Sequence, residues 1–289
     1  MLVALISLST GAVLRWATGP CRGKHTGEQA LFRTLMPHLA RGDIVLADRY
    51  YCNYFTVALL LERGVDLVTR QHQRRVTDFR RGKRLGRHDH LVDWVRPQRP
   101  DWMDHETYAR MPEHLTVREI ETAGRILVTT LTDEKSVKVA QIDELYRQRW
   151  QVEVDLRSIK AHMGMDILHS KSPAMVNKEI AAYLLAYNLV RALMARAAAG
   201  VRVVARSLSF KGTVQLLLAF EQPLRFSAAV AARTMTAHLL GAISMLKLPK
   251  RSGRVEPRAI KRRPKNHPLL TQPRNLARAS ILRSRQSSA

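Results

Sequence analysis

Apolar strand-like segments alternate with amphipathic helical ones over the first 70 residues, and this alternation constrains the fold most. Residues 2–8 and 12–17 are apolar runs on either side of a Ser-Thr-Gly turn, which predicts a hairpin. A helical pattern follows, and residues 43–48 then form a short apolar segment that ends in Asp48. A second helix at 54–63 and a strand after it repeat the order. Such alternation is typical of an α/β core.

The alternation stops at Gln71, where a strongly basic segment begins. Its Gly-Lys and Leu-Gly-Arg pieces are typical of hairpin turns and predict a β-rich insertion. Strand patterning then resumes, and the spacing predicts one long helix over 141–163. We therefore divide the chain into the first part of the core at 1–70, the β-rich basic insertion at 71–124, the second part of the core with that long helix at 125–170, a C-terminal helical region at 171–248 and a basic flexible tail at 249–289.

The charge of the chain points to a polyanionic partner. Among 289 residues, 48 Lys and Arg stand against 24 Asp and Glu, which leaves a formal charge of +24. Such an excess favours nucleic acid, whereas an enzyme acting on small anions would not need it. A basic structural protein associated with RNA or ribosomes would carry the same charge. The tail could bind DNA, or it could be a solvated extension that only aids solubility.

Cysteine content and hydropathy indicate the cellular compartment of the protein. Cys21 and Cys52 are the two cysteines, too few for a disulfide framework and without the spacing of zinc ligands. The apolar run at 180–199 contains Asn188 and two arginines, which are too polar for a bilayer span. We predict a cytoplasmic, nucleoid-associated protein with no membrane segment.

One face of the predicted long helix carries most of the chemistry. At about 100° per residue, Tyr146, Arg149, Glu153 and Lys160 fall within an arc of roughly 60°. A carboxylate there could hold a divalent ion, and the cations beside it could hold a phosphodiester. The same spacing also suits a ladder of i,i+4 ion pairs through Arg149, Glu153 and Arg157 on a solvated face.

Asp48 is the second candidate. It ends a strand whose residues 44–47 look fully buried in the sequence. Carboxylates at the ends of core strands of an open sheet commonly line a site. The alternative is an ordinary turn or helix N-cap aspartate.

These residues together resemble a known family. The gaps of two, three and six residues between Tyr146, Arg149, Glu153 and Lys160 match the Tyr-Arg-Glu-Lys signature of bacterial DDE transposases of the insertion-sequence-four type. The segment Gly42–Tyr51, GDIVLADRYY, resembles the motif that holds the family's second catalytic aspartate. The resemblance extends over essentially the whole chain, including the basic insertion and the tail sequence VEPRAIKRRPK.

The resemblance implies a ribonuclease H-like core with a β-rich insertion and a C-terminal helical region. It implies that Asp48 and Glu153 are catalytic and hold Mg²⁺ for two-metal cleavage and transfer of phosphodiesters. It further implies that Tyr146, Arg149 and Lys160 grip DNA phosphates. The partners would be the ends of an insertion element and its target DNA, with two copies pairing as a homodimer on the ends.

Two tryptophans of the insertion are further DNA-binding candidates. In some members of the family an aromatic side chain of the insertion stacks on a flipped base. Trp94 and Trp102 are the candidates for that role here. Plain packing is the alternative for both.

One element that the resemblance leads us to expect has no match. The family's first catalytic aspartate lies on the first core strand, whereas the only acid before Asp43 in this sequence is Glu28, on a predicted helix. We therefore expect an incomplete core that lacks its first strand, an N-terminal truncation, and little or no catalysis by this chain alone. The competing functions are a transposase and a catalytically inactive DNA-binding remnant that could inhibit full-length transposase.

Overall fold

The computed structural model describes residues 1–20, 22–23, 26–249 and 272–286. It divides the chain into one unit at Met1–Leu248 and a second at Pro249–Ala289. The tail sequence VEPRAIKRRPK lies outside the described residues. Within the second unit, Arg274–Gln286 forms a helix, α9, where the sequence predicts an extended tail.

The chain opens with the predicted hairpin. Strands β1 (Leu2–Ile6) and β2 (Val13–Thr18) pair antiparallel as a two-stranded sheet. Gly11 in the turn has φ +79°, a left-handed conformation that favours glycine. Asn188 binds the start of β2 twice, because its Oδ1 accepts from the Val13 amide at 2.8 Å and its Nδ2 donates to the Val13 carbonyl at 2.8 Å.

A second sheet has six strands in the order β3-β4-β8-β7-β6-β5. Strand β3 runs parallel to β4, and the other neighbours are antiparallel. The predicted insertion is rich in strands, but those strands continue the core sheet through β8 rather than forming a sheet of their own. The strands are β3 (Ile44–Ala47), β4 (Asp66–Arg70), β5 (Lys83–Gly86), β6 (Asp89–Val95), β7 (His114–Thr122) and β8 (Arg125–Thr129).

The described residues of the first unit also form eight α-helices, so the fold is mixed α/β, as the alternation predicts. No helix in the described ranges is both long enough and apolar enough to cross a bilayer. The helices are α1 (Glu28–Leu35), α2 (Tyr54–Glu62), α3 (His105–Arg110), α4 (Val139–Arg147), α5 (Trp150–Arg157), α6 (Pro173–Gly200), α7 (Phe210–Arg225) and α8 (Ala229–Met245).

The apolar residues form two large cores. One packs α2 against the long sheet, with Val57, Leu60 and Val117 fully buried. The other lies around α6, with Leu184 and Met194 among its buried members. Strand β1 contributes partly buried side chains to both cores, so the hairpin joins the sheet region to the helical region.

The predicted single helix over 141–163 is divided into three pieces. Between α4 and α5 the backbone tightens, because the amides of Gln148 and Arg149 each donate three residues back, to the carbonyls of Leu145 and Tyr146. After α5, residues Ser158–His162 form a π-helical turn. Each change alters the rotation per residue, so an ideal helical wheel misplaces residues beyond it.

Candidate active site

Asp48 lies where β3 ends, as the sequence predicts. Its side chain is exposed, and its Oδ1 accepts from the Arg49 amide at 2.6 Å, which caps a short 3-10 turn. The Thr69 hydroxyl of β4 donates to the Asp48 carbonyl at 3.0 Å and holds the backbone at the strand end. Asp48 thus ends the strand and caps the turn after it, and its role in a functional site stays a prediction.

The residues before Asp48 are more open than expected. The sequence suggests that residues 44–47 are fully buried, but Ile44 is 43% exposed, Val45 and Leu46 are half-buried, and Ala47 is the one buried residue of the strand. The physical reason is position: β3 is an edge strand of the six-stranded sheet.

Glu153 reaches the same region from α5 and forms an ion pair with Arg149. The Arg149 Nη2 lies 2.7 Å from the Glu153 Oε1, with the two side chains 26% and 41% exposed. Burial lowers the pKa of Arg149, but the hydrogen bond to Glu153 and the charges of Tyr146, Glu153 and Asp48 outweigh it and raise the pKa overall. The spacing thus produces an i,i+4 ion pair, and that pair lies within electrostatic reach of the Asp48 carboxylate.

Tyr146 lies beneath this ion pair and is only 6% exposed. Burial raises the pKa of its phenol, an effect that the nearby cations Arg149, Arg125 and Arg70 oppose. The Arg125 guanidinium sits 5.5 Å from the ring centroid. Tyr146 is thus a packed ring with cations around it, and contact between its hydroxyl and a phosphate stays a prediction.

Lys160 and the two tryptophans lie in different surroundings. Lys160 is exposed and belongs to the π-helical turn. Trp94 is 3% exposed, its indole N–H donates to Glu119 at 3.2 Å, and the Arg75 guanidinium covers its ring at 3.7 Å. A base could stack on Trp94 only after Arg75 moved away. These contacts are those of a packed side chain.

Trp102 is half-buried and is also covered. The Arg33 guanidinium lies 3.7 Å from its ring centroid, and the Phe55 ring meets it edge-on at 5.9 Å. Burial lowers the pKa of Arg33. Trp102 keeps some exposed surface, so of the two tryptophans it is the better placed for contact with DNA.

A cavity of about 560 Å³ connects the hairpin to the candidate site. All residues from 2 to 8 and from 43 to 48 line it. Its polar lining includes Asp48, Glu28, Tyr51 and Arg149. Burial, with the charges of neighbouring acidic groups, raises the pKa of Tyr51 to about 12. The remaining lining residues are mainly apolar, so the candidate site opens into an apolar cleft.

Sequence reasoning missed Asp155, which positions α5. Asp155 is completely buried, and both carboxylate oxygens accept from arginines: Arg191 bonds to Oδ1, and Arg206 bonds to Oδ2 at 2.8 Å. Arg206 also donates to the carbonyls of Ser7 and Leu8 in the hairpin turn. The cluster therefore ties the helix that carries Glu153 to the hairpin, and nothing in the local sequence pattern marks it.

The donor chemistry of the site suits Mg²⁺ in kind, because Asp48 and Glu153 present carboxylate oxygens, the ligands that this ion prefers. Within the described residues, however, no group of three or more His, Cys, Asp and Glu side chains could hold a metal. The roles of Asp48 and Glu153 as metal ligands stay a prediction.

Comparison with known families defines the class of protein. The sequence model of the transposase DDE domain family matches residues 1–189, and the chain belongs to this family. The resemblance inferred from the Tyr-Arg-Glu-Lys spacing is thereby confirmed.

The chain is similar to several transposases of Escherichia coli. It is 28% identical over 256 residues to transposase InsG of insertion sequence element IS4 from strain K12, across 83% of this chain and 55% of that protein. It is 34% identical over 71 residues to the putative transposase InsL of IS186A and to the transposase of IS421, across 25% of this chain and 19% of each relative. The chain thus spans about half the length of InsG.

Proposed function

We propose that this chain takes part in transposition of an insertion element, through metal-dependent cleavage and strand transfer of DNA phosphodiester bonds. The proposal extends family membership to the activity of this polypeptide. The observation that supports it most is the meeting of Asp48 from a strand end with the Arg149–Glu153 pair from the α4–α5 region. Carboxylates beside a guanidinium suit the handling of a phosphodiester.

In this proposal Asp48 and Glu153 would hold Mg²⁺, which supplies activation of the attacking oxygen and stabilisation of the leaving oxygen when bound. Arg149 now occupies one oxygen of Glu153. When Glu153 turns to other partners, the Arg149 guanidinium becomes available to a DNA phosphate. Lys160, exposed on the π-helical turn that follows α5, would contact the DNA backbone further along.

The enclosing fold is proposed to be a ribonuclease H-like core. The parallel β3–β4 pair and the Glu-bearing helix support this assignment. We also propose that two copies pair on the DNA ends and that the protein associates with the nucleoid. The support for these two points is the family and the charge of +24.

The test is nicking of supercoiled plasmid by the purified chain with Mg²⁺ or Mn²⁺. This proposal predicts that wild type nicks, against the little or no catalysis that the sequence leads us to expect of the chain alone, and that Glu153→Gln and Asp48→Asn abolish nicking. The matched control is Glu221→Gln, an exposed glutamate on α7 that should leave the rate unchanged. Nicking that survives in Glu153→Gln would contradict the proposed role of this residue.

A second candidate is a DNA-binding protein without catalysis, and it is favoured because, among the described residues, no group of three or more His, Cys, Asp and Glu side chains is arranged to hold a metal. It predicts no metal-dependent nicking by wild type. DNA affinity would still fall steeply as salt rises, since phosphate neutralisation releases counterions. Inhibition of a full-length transposase by added chain would support it further.

A further inference from the structure

A buried pair of ionisable side chains, His90 and Glu119, contacts residues 71–81, the strongly basic start of the predicted insertion. We propose that this pair is a proton-dependent switch. With hydrogen on both ring nitrogens, His90 holds residues 71–81 against the six-stranded sheet, and loss of one of these hydrogens releases that segment. The switch uses neither Asp48 nor Glu153, so it is independent of the proposed catalysis.

The two side chains of the pair lie on neighbouring strands. His90 of β6 is directly opposite Glu119 of β7 in the antiparallel register, and the side chains are 1% and 5% exposed. The His90 Nε2 lies 3.3 Å from the Glu119 Oε2. Ionisable side chains are rarely so buried unless they are paired and hydrogen-bonded. The protonation of this pair therefore affects the interior of the protein and not only its surface.

The carboxylate of Glu119 receives two further hydrogen bonds, both from groups that donate. The Trp94 indole N–H, which can only donate, bonds to Oε1 at 3.2 Å. The Thr77 hydroxyl donates to Oε2 and itself accepts from the Gln71 side-chain amide. Glu119 thus acts as an acceptor at both oxygens. The nitrogen of His90 that faces Oε2 must carry a hydrogen to bond to it.

The other ring nitrogen of His90 also faces an acceptor. Its Nδ1 lies 2.7 Å from the carbonyl oxygen of Arg81, the last residue of the segment. A carbonyl oxygen cannot donate, so this bond requires a hydrogen on Nδ1 as well. The imidazolium carries both hydrogens and satisfies both acceptors. A neutral ring, in either tautomer, leaves one of the two without a donor.

Other contacts of the segment depend on the same pair. The centroid of the Phe79 ring lies 4.9 Å from that of the His90 ring, and an aromatic ring attracts a neighbouring cation. The Arg75 guanidinium lies 3.7 Å from the centroid of Trp94, the ring that bonds to Glu119. Loss of charge at His90 therefore weakens the attachment of residues 71–81 to the sheet at more than one point.

Histidine is the side chain that ordinarily changes charge between about pH 5 and 8. Nearby charged groups keep their charge over that range. Burial raises the pKa of the Cys52 thiol to about 11, and hydrogen bonds from Arg80 lower the pKa of Asp78 to about 2. Arg75, within electrostatic reach of the pair, and Arg84, opposite the histidine on β5, stay charged because arginine does not deprotonate in proteins.

Two other ion pairs lie next to the switch. Asp89 accepts from Arg118 at both oxygens, at 2.8 and 2.7 Å, but neighbouring residues of a strand point to opposite faces, so this pair lies on the other face of the sheet. The His88 Nδ1 lies 2.6 Å from the Glu121 Oε2, with side chains 46% and 41% exposed. The His88 ring also lies 5.5 Å from that of Phe79. His88 is thus a second histidine beside the segment and offers a control.

The direction of the effect follows from the hydrogen bonds. At the acid end of the range both acceptors are satisfied and the segment is held. As pH rises, the neutral ring leaves a buried acceptor without a donor, which is unfavourable. Release moves a segment whose exposed side chains include Arg74, Arg80 and Arg81. The switch therefore sets the position of three surface cations according to pH.

The test is amide hydrogen exchange of the full chain at about pH 5.5 and pH 8, corrected for the intrinsic effect of pH on exchange. The amides of Arg75 and Arg81, which bond to the carbonyls of His72 and Asp78, should exchange at least about tenfold faster at the higher pH. The amides of β8 serve as the internal control and should change less than about twofold.

Glu119→Gln is the decisive variant. Its side-chain amide can donate to the Nε2 of a neutral His90, whose Nδ1 hydrogen still bonds to the Arg81 carbonyl. The segment should then stay closed at both pH values, and the change in exchange should fall from about tenfold to within about twofold. His88→Gln is the matched control, and it should keep the wild-type change.

Nitrogen-15 spectra of the histidine rings, assigned through the backbone, report which nitrogens carry hydrogen in wild type. His90 should be doubly protonated at the lower pH and singly protonated at the higher one, with the same midpoint as the change in exchange. A neutral His90 at the lower pH would overturn the proposal even if Glu119→Gln did not fold. So would exchange that does not change with pH in wild type, a full change that persists in Glu119→Gln, or its loss in His88→Gln.

Discussion

Substitution of Asp155 tests whether the buried ion cluster holds the site together. Asp155 has no solvent exposure, and the arginines that bind it, Arg191 and Arg206, have side chains only 5% and 11% exposed. Asp155→Asn removes the negative charge and leaves two guanidinium groups in a dry environment. Breaking a buried pair in this way costs about 3–5 kcal/mol.

That cost should appear in both denaturant and thermal unfolding. For a unit of this size, about 1 kcal/mol corresponds to roughly 2–4 °C in melting temperature. Asp155→Asn should therefore lower the melting temperature by roughly 6–20 °C. The matched control, Asp166→Asn at an exposed position, should change the free energy of unfolding by no more than about 0.5 kcal/mol.

A third variant separates charge from geometry. Arg206→Lys keeps a cation near Asp155 but loses the planar fork that also bonds the carbonyls of Ser7 and Leu8. We expect its loss of stability to lie between that of the control and that of Asp155→Asn. A loss below about 1 kcal/mol for Asp155→Asn would refute the reasoning. It would mean that the attraction between Asp155 and its arginines does little more than repay the cost of removing these charges from water.

Three further predictions concern DNA contact, backbone strain and pH. Arg149→Ala should lower the slope of log affinity against log salt by about 1 in DNA-binding titrations, whereas Arg149→Lys should keep the slope. Gly82→Ala should destabilise the protein by more than Gly124→Ala in urea unfolding: both glycines have φ near +70°, but only at Gly82 would the new Cβ lie 2.0 Å from the Leu91 carbonyl oxygen. The pKa of the Tyr51 phenol is raised to about 12 in the folded protein. The contribution of the protonated phenol to stability is therefore full below about pH 10 and is lost as the pH rises towards 12. Over that range the free energy of unfolding should fall less steeply in Tyr51→Phe than in wild type.

Each of these predictions has an outcome that contradicts it. Equal salt slopes for wild type and Arg149→Ala would place the guanidinium away from DNA phosphates. Equal losses at Gly82 and Gly124 would mean that the backbone just before β5 relaxes around the new methyl group. Parallel pH profiles for wild type and Tyr51→Phe would mean that the phenol is solvated in solution.

Local pattern was enough for several parts of the site. The strand that ends at Asp48 and the helix that carries Glu153 follow from hydropathy with the periods of a strand and a helix. The Tyr-Arg-Glu-Lys spacing leads to the family because its gaps match a known signature, which can be read without the fold. The assignment of Asp48 and Glu153 as metal ligands stays a prediction.

Other parts could not be obtained in this way. The helical wheel that places Lys160 beside Glu153 assumes one regular helix, whereas a tightened turn and a π-helical turn interrupt it. The tryptophans look alike in sequence, and only the packing shows that Trp94 is enclosed by Glu119 and Arg75. Residues 44–47 are as apolar as a central strand, yet Ile44 is exposed because β3 lies at the edge of its sheet.

The sequence by itself determined the α/β class, the basic charge and the family of this protein, since all three depend on composition or on spacings of a few residues. The tertiary structure alone decided the open cleft between β1 and β3 and the burial of Asp155. Arg206 shows the physical reason: it bonds to Asp155, 51 positions away, and to Leu8, 198 positions away. Contacts between residues so far apart depend on how the whole chain packs, and no local pattern encodes them.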